Sequence, residues 1–464
     1  MKLFGGDAKR KVVAAAETDL HEELRESVVR ALHSQNRESL SAIIQTHHSA
    51  DVADTIEWLT PPKRRLLISL VPDLSPEVLI ALADWARDDV LEHLTSQEIA
   101  TAIRGLESDD ALTIIEDLHV KRRHEVLNVM SPEESAFLKK SLHYPKDSAG
   151  RLMQHEVLSL PDCATVEDLN KLLASNRADI PLAFYEIFIH NPLHLPLGSI
   201  PLHRILRVAS DVLLRDIMDP QPICIPADLD QEKVGHIFRQ YGLVSAPVVD
   251  RSGHIVGMIT ADDVVTVLDK EADEDLLYLT GAGIADYRAS IMETSFYRLR
   301  WLAITLVNTL LASSVIYQFQ FVIEKMIALA VIMPIVAAMG GNAGMQVVTV
   351  TVRALATQQL GLHKKSIIAA VIKELRIGLA NSMIFSLPLG ALIAWWFHDL
   401  RLGIVLTIGM IFNIIWAGAA GTLIPLLFAK IKVDPAVAAG PLLTTTTDVL
   451  GYLVFLGLAL LFLV

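Results

Sequence analysis

The sequence has little of what marks several common protein classes. It has only two cysteines, Cys163 and Cys224, and their number and spacing indicate neither a disulfide framework nor a zinc site. The first residues, MKLFGGDAKRKVVAAAETDL, lack an apolar core of signal-peptide length, so we expect the first half to be cytosolic. No Ser-His-Asp set, P-loop or zinc motif is recognisable. We therefore predict that the chain is not an enzyme, and we expect no nucleic-acid partner.

Acidic side chains are scarce in the second part of the chain. The chain is 52% hydrophobic, which is high for a soluble protein, and yet 20% of its residues are charged. Both values are explained if hydrophobic and charged residues lie in different parts of the chain. Residues 296–464 contain five of the 53 acidic side chains, namely Glu324, Glu374, Asp399, Asp434 and Asp448. We therefore predict a soluble acidic half followed by a membrane half.

The membrane half contains five apolar stretches, each long enough to cross a bilayer, which takes about 20 residues. They are 301–319, 326–351, 377–397, 402–429 and 436–464. Basic residues lie mainly before the first stretch, between the second and third, and before the fifth. Because Lys and Arg favour the cytosolic side, we expect a multi-pass protein of the cell membrane with its N-terminus inside and its C-terminus outside.

Asp448 is a carboxylate about 13 residues into the fifth stretch, near mid-bilayer. On a lipid-facing surface it would cost at least about 2.5–3.5 kcal/mol, and no basic residue lies within a span to pair with it. We predict that it faces an ion, with Thr444 one turn earlier on the same helix face. Oxygen ligands favour a hard cation, and a single carboxylate favours hydrated magnesium. The alternative is a packing role, with the Asp held by Thr hydroxyls and helix ends.

The second span contains a cluster of Gly, Pro and amide residues. The segment PIVAAMGGNAGMQ includes Pro334, Gly340, Gly341, Asn342 and Gly344. Gly and Pro can leave backbone carbonyls available to a water-filled path, and amide side chains are rare at membrane depth. This pattern favours a pore-lining role, and the alternative is close helix packing.

The soluble half changes character near residue 150. Residues 22–145 repeat a unit of roughly a dozen residues with helical apolar spacing and Pro, Ser, Thr or Asp at the helix starts, which predicts a helical superhelix. From 150 to 280, short β-runs alternate with helices. In full, the predicted fold is multidomain, with an α-helical superhelical N-terminal domain, an α/β pair of modules and an all-α domain of five transmembrane helices.

PIVAAMGGNAGMQ together with VDPAVAAGPLLTTTTD resembles the MgtE family of magnesium channels, and the resemblance extends over the whole chain. It implies a homodimer whose two subunits form the pore, with a largely hydrated Mg²⁺ at Asp448. Gly440 departs from the family, whose best-described members have Asn there. The pore residues that the resemblance and the spans together predict are Asp448, Thr444, Gly340, Gly341, Asn342 and Gly344.

The resemblance also divides the chain into domains. It implies an MgtE-type N-terminal domain at 22–145, CBS modules at 150–215 and 216–280, a linker (plug) helix at 281–298 and a channel domain at 299–464. In the second module, Thr260 and Asp263 stand where CBS modules bind adenine nucleotides such as ATP. The first module is degenerate, because Pro201 and Arg204 stand at those positions.

Acidic positions in the soluble half resemble those at which MgtE domains bind regulatory Mg²⁺. They are Asp109, Asp110, Asp230, Glu232, Asp262, Asp263, Glu271, Glu274 and Asp275. Clustered carboxylates repel one another unless cations screen them, so their packing responds to divalent ions. Gly242 and Thr266 depart from acidic family positions, and the alternative for the acidic run is a solvated face.

These features predict a magnesium channel or transporter that imports Mg²⁺ and closes when cytosolic Mg²⁺ is high. One alternative is a proton-coupled secondary transporter of another solute, with Asp448 as a proton relay. Another is a nucleotide-sensing signalling protein with a membrane anchor, but an anchor needs neither Asp448 nor PIVAAMGGNAGMQ.

Overall fold

The computed structural model of the chain describes residues 21–175, 184–281 and 291–464. They belong to two compact units, divided between Leu268 and Asp269.

The first unit begins with short helices, as the repeated sequence unit predicts. Helix α1 covers 21–33, and several helix starts carry reciprocal caps, such as Thr95 with Glu98 and Ser131 with Glu134. Each helix buries a few apolar residues in one shared core. The following helices are α2 (Arg37–Thr46), α3 (Ser49–Trp58), α4 (Pro61–Leu70), α5 (Pro76–Ala81), α6 (Asp84–His93), α7 (Ser96–Ile103), α8 (Ser108–Asp117), α9 (Val120–Val129) and α10 (Pro132–Ser141).

Buried arginines link helices of this superhelix to one another. The Arg64 guanidinium donates to the carbonyl of Leu59 at 3.1 Å and pairs with Asp89 at 2.5 Å. Arg87 repeats the arrangement with the carbonyl of Leu82 and the carboxylate of Asp117. Each arginine thus satisfies a carbonyl at the end of one helix and a carboxylate on another.

Two small sheets follow, each with its own apolar core. In the first, β1 (Ser159–Pro161) pairs parallel with β2 (Glu186–His190), and β3 (Pro196–Pro201) lies antiparallel between β2 and β4 (Asp219–Pro220). In the second, β6 (Ser245–Val249) is central, parallel to β5 (Ile225–Pro226) and antiparallel to β7 (Ile255–Thr260). The helices here are α11 (Ala149–Leu152), α12 (Val166–Ala174), α13 (Leu202–Ile205), α14 (Leu214–Ile217), α15 (Gln231–Tyr241) and α16 (Ala261–Thr280).

The second unit contains the five predicted spans, confirmed as five helices long and apolar enough to cross a membrane among the described residues. A short helix, α18 (Gln320–Lys325), separates the first two. Helix α21 is the most buried and packs against α19, α20 and α22. The long helices are α17 (Ile291–Gln318), α19 (Ala328–Ala356), α20 (Lys364–Phe397), α21 (Leu400–Lys430) and α22 (Pro435–Phe462).

Small residues allow α20 and α21 to approach closely. Gly378, Ser382, Ser386 and Gly390 recur at every fourth position of α20 and are buried. The Thr407 hydroxyl of α21 donates to the Ser386 carbonyl at 3.3 Å. Such a stripe replaces the hydrophobic driving force that is absent between helices in lipid.

The structure describes the residues on both sides of the predicted linker helix. Helix α16 continues through the acidic run to Thr280, and residues 291–298 are the first turns of α17 rather than a separate helix. Residues 282–290 of the predicted linker lie outside the described ranges.

Candidate ion pathway and acidic clusters

Asp448 lies half-buried in α22, one turn after Thr444. The hydroxyls of residues 444–447 all donate to carbonyls of their own helix, such as Thr444 to Pro441 at 3.0 Å. The threonines therefore do not hold the carboxylate, as the packing alternative required. No other side chain within the described ranges donates a hydrogen bond to Asp448 or forms an ion pair with it.

Some glycines of the α19 cluster pack against other helices, whereas one has open space beside it. The helix is continuous through Pro334, so this segment is not unwound. Gly340 and Gly344 are buried, and a Cβ at Gly344 would lie 2.8 Å from a Leu443 methyl carbon. A Cβ at Gly341 would meet nothing within 4 Å. Asn342 is exposed. The packing interpretation therefore describes Gly340 and Gly344, whereas Gly341 and Asn342 lie where α19 is not covered.

Contacts between α19 and α22 show which part of α19 lies at the same level as the Asp448 carboxylate. Gly344 faces Leu443, and Gly340 and Gly451 both approach one side chain of α21. The two helices therefore run antiparallel here, with Asp448 between the two contact levels. At 1.5 Å per residue, the carboxylate lies within about one turn of the uncovered part of α19.

Two asparagines that the sequence analysis did not single out join the spans. Asn413 of α21 is fully buried, and its Nδ2 donates to the Val336 carbonyl of α19 at 2.8 Å. Asn308 of α17 donates through Nδ2 to the Pro441 carbonyl of α22 at 3.1 Å. A lone amide within an apolar span was the available signal, since such groups need a partner at membrane depth.

Four predicted regulatory acids meet in the first unit. Asp109 and Asp110 lie in the first turn of α8, and Asp262 and Asp263 in the first turn of α16. Burial, and then the charge of Asp263, raises the pKa of Asp109 well above its usual value. Burial, and then Asp262, raises the pKa of Asp110. Burial also raises the pKa of Asp263 to about 6, with Asp262 and Asp110 adding to the effect.

A second acidic cluster lies in the second unit, at the start of α22. Burial, and then Asp434, Glu271 and Glu274, raise the pKa of Asp275 to about 6. Asp434 caps α22, because its Oδ1 accepts the backbone N–H of Ala436 at 2.8 Å. Cation binding would relieve repulsion in both clusters.

Asp230 has a structural role that the sequence analysis did not predict. It caps α15, and its Oδ1 accepts the backbone N–H of Glu232 at 3.1 Å. Across 21–175, 184–281 and 291–464, no group of three or more His, Cys, Asp or Glu side chains is arranged to hold a metal ion. The regulatory ligand sets therefore stay a prediction.

The two α/β copies differ at the predicted nucleotide positions. In the second, the Thr260 hydroxyl donates to the Asp263 carboxylate at 2.5 Å. In the first, Arg204 makes two hydrogen bonds to the carboxylate of Asp219, at 2.8 and 2.9 Å. In the degenerate copy, Arg204 is thus already paired with a carboxylate of the same chain.

Three family models match the chain. They describe an MgtE intracellular N domain over residues 47–147, a CBS domain over 214–270 and an MgtE divalent cation transporter over 333–458. The chain is also similar to the cytosolic domain of the Mg²⁺ channel MgtE in complex with ATP, at 23% identity and a TM-score of 0.49, covering 52% of this chain and 99% of that one.

Two relatives carry the same name. Magnesium transporter MgtE of Thermus thermophilus is 28% identical over 447 residues, which cover 95% of this chain and 98% of the relative. Magnesium transporter MgtE of Enterococcus faecalis is 31% identical over 331 residues, 71% of this chain and 72% of the relative. With this extent of similarity and the matching order of domains, the chain belongs to the MgtE family of magnesium transporters.

Proposed function

We propose that this chain imports Mg²⁺ across the cell membrane as a homodimer, with its N-terminus in the cytosol and its C-terminus outside, and that Asp448 binds the ion. One observation carries the proposal. Asp448 is a half-buried carboxylate within a membrane-crossing helix, without a hydrogen-bond or ion-pair partner among the described residues. A charge so placed needs a counter-ion, because lipid does not solvate it.

The chemistry of the site favours a hydrated divalent cation. Magnesium prefers oxygen ligands and gives up water reluctantly, so it binds through one or two carboxylates and keeps several waters. A homodimer would supply two copies of Asp448. Thr444, one turn away, retains acceptor lone pairs for the ion's waters because its proton is bound to the Pro441 carbonyl.

Uptake by the purified protein in liposomes tests this function. Asp448→Asn keeps the side-chain shape and removes the charge, so we expect loss of Mg²⁺ uptake in folded protein. Asp399→Asn is the matched control, since Asp399 only caps α21 and Asn caps equally well. Normal, selective uptake by Asp448→Asn would contradict the proposal. Uptake of another solute driven by a pH gradient would favour a proton-coupled transporter.

We further propose that cytosolic Mg²⁺ closes the pathway by binding the acidic clusters of domains 22–145 and 216–280 and the end of α16. Moving a two-state gate from about 1:99 to 99:1 takes roughly 5.5 kcal/mol, which several divalent sites in each subunit of a dimer can supply. Neutralising Asp263, Glu274 and Asp275 together should shift the Mg²⁺ dependence of opening and leave ion selectivity unchanged. Flux measured over a range of cytosolic-side Mg²⁺ concentrations checks this. An unshifted inhibition curve would support the alternative, in which these residues only form a solvated face.

Nucleotide binding is proposed for the second CBS copy alone. Its Thr260 and Asp263 are hydrogen-bonded to each other, in the positions that CBS modules use for adenine nucleotides. We expect ATP to bind the wild type and to bind Thr260→Ala more weakly in calorimetry. Equal affinities would contradict this assignment.

A further inference from the structure

The amide of Asn413 is a fully buried polar group next to the predicted ion pathway. The residue has no exposed surface, and its Nδ2 donates to the Val336 carbonyl at 2.8 Å. Its Oδ1 is buried and has no hydrogen-bond partner among the described residues. An apolar side chain of similar volume would avoid the cost of an unpaired buried oxygen, so packing alone does not explain the amide.

Two glycines on opposite helices make room for this amide. Ideal Cβ atoms at Gly340 of α19 and at Gly451 of α22 would both lie within van der Waals overlap of the Asn413 side chain. For Gly451, the nearest atom would be Nδ2 at 2.8 Å. The Asn413 side chain is thus a wedge between α19 and α22, fixed to α19 by its hydrogen bond.

The wedge lies close to the charge that the mechanism uses. Gly451 follows Asp448 by three residues, so the two are neighbours on adjacent turns of α22. Gly340 precedes the uncovered Gly341 and Asn342 on α19. At this depth, one side chain of a third helix therefore lies between α19 and α22.

We propose that Asn413 is a positioning residue for ion selection: it sets the separation of α19 and α22 at the depth of Asp448. This inference rests on the proposed function, because it needs Asp448 to bind the transported ion. A hydrated cation is selected by the space around its waters, so a small change in helix separation changes discrimination between ions of similar charge.

A double-mutant cycle in full-length protein tests the wedge. Asn413→Ala empties the space, and Gly451→Ala places a methyl group against the amide. Each single variant should change the ratio of Mg²⁺ to Mn²⁺ uptake in liposomes by about three- to tenfold, the factor expected for losing one interhelical polar contact. The double variant should recover much of the wild-type ratio, because the new methyl group occupies the emptied space.

Gly457→Ala on the same helix is the matched control, since a Cβ there would meet nothing within 4 Å. It should leave both the uptake ratio and the melting temperature unchanged. If Asn413→Ala does not yield folded protein, Gly451→Ala, which adds only one methyl group, tests the inference through the same ratio of Mg²⁺ to Mn²⁺ uptake.

Three results would overturn the inference. An unchanged uptake ratio in Asn413→Ala with a lowered melting temperature assigns the amide to packing. Additive effects in the double variant exclude the steric coupling. If Asp448→Asn transports Mg²⁺ like the wild type, the proposed function and this inference both fail, whereas failure of the Asn413 tests alone, with Asp448→Asn inactive, leaves the proposed function intact.

Discussion

Replacing Asp109 by Asn should stabilise the first unit at neutral pH when divalent ions are removed. Asp109 is 9% exposed, and its Oδ1 has no hydrogen-bond partner within the part of the chain described. Its charged neighbours include Asp263, Asp110 and Glu107, all of the same sign. Asn keeps the shape of the side chain and removes both its desolvation cost and this repulsion.

The penalty at Asp263 gives the scale, because burial and like charges raise the pKa of both carboxyl groups. For Asp263, a rise from 3.8 to about 6, at about 1.36 kcal/mol per pH unit, costs on the order of 3 kcal/mol once the pH exceeds both values. Because the folded state holds its proton more tightly, this cluster makes stability fall as pH rises from about 4 to about 6. We therefore expect Asp109→Asn to exceed the wild type by on the order of 1–3 kcal/mol at pH 7.5, with the difference shrinking towards pH 4.

Thermal unfolding of the full chain in detergent with EDTA measures this effect, with tryptophans Trp58 and Trp85 reporting on the first unit. One kcal/mol corresponds to roughly 2–4 °C for a unit of this size. Added Mg²⁺ should stabilise the wild type more than Asp109→Asn, because a bound ion and the substitution remove the same repulsion. Asp54→Asn, on an exposed face of α3, is the matched control.

Equal stability of Asp109→Asn and the wild type at every pH would refute the reasoning. So would a difference that is the same at pH 4 and pH 7.5, because that would come from packing and not from charge.

Two further predictions concern packing. Arg64→Met should lower the free energy of unfolding of the first unit by about 3–5 kcal/mol in urea titration, because it leaves the Asp89 carboxylate and the Leu59 carbonyl without their donor; an unchanged urea midpoint would contradict this. Gly281→Ala should lower the melting temperature of the second unit, because the backbone φ is +71° and the Trp301 indole occupies the place of a Cβ. A melting temperature equal to that of the wild type would show that the indole moves aside freely.

The features that were predictable from the sequence depend only on short stretches of the chain. The five spans follow from length and hydropathy, which need no knowledge of neighbouring helices. The short helices of the first unit follow from apolar spacing and from caps such as Thr95 with Glu98. The same capping rule accounts for Asp434 at the start of α22, where it directly precedes Pro435. Asp448 was identifiable because a charge in an apolar run is costly wherever the helix lies.

Contacts between distant segments were decided only by the tertiary structure. Asp109 and Asp263 are separated by more than half of the first unit along the chain, and only the fold brings their charges together. The roles of Gly340 and Gly451 depend on which side chain of α21 lies between them. From hydropathy, Asn413 is only a polar residue within an apolar span, and only helix packing shows which groups surround its amide. The sequence by itself determined which segments cross the membrane and where a charge lies within them. Because apolar periodicity does not encode which faces of separate helices meet, the wedge beside that charge was decided by the tertiary structure.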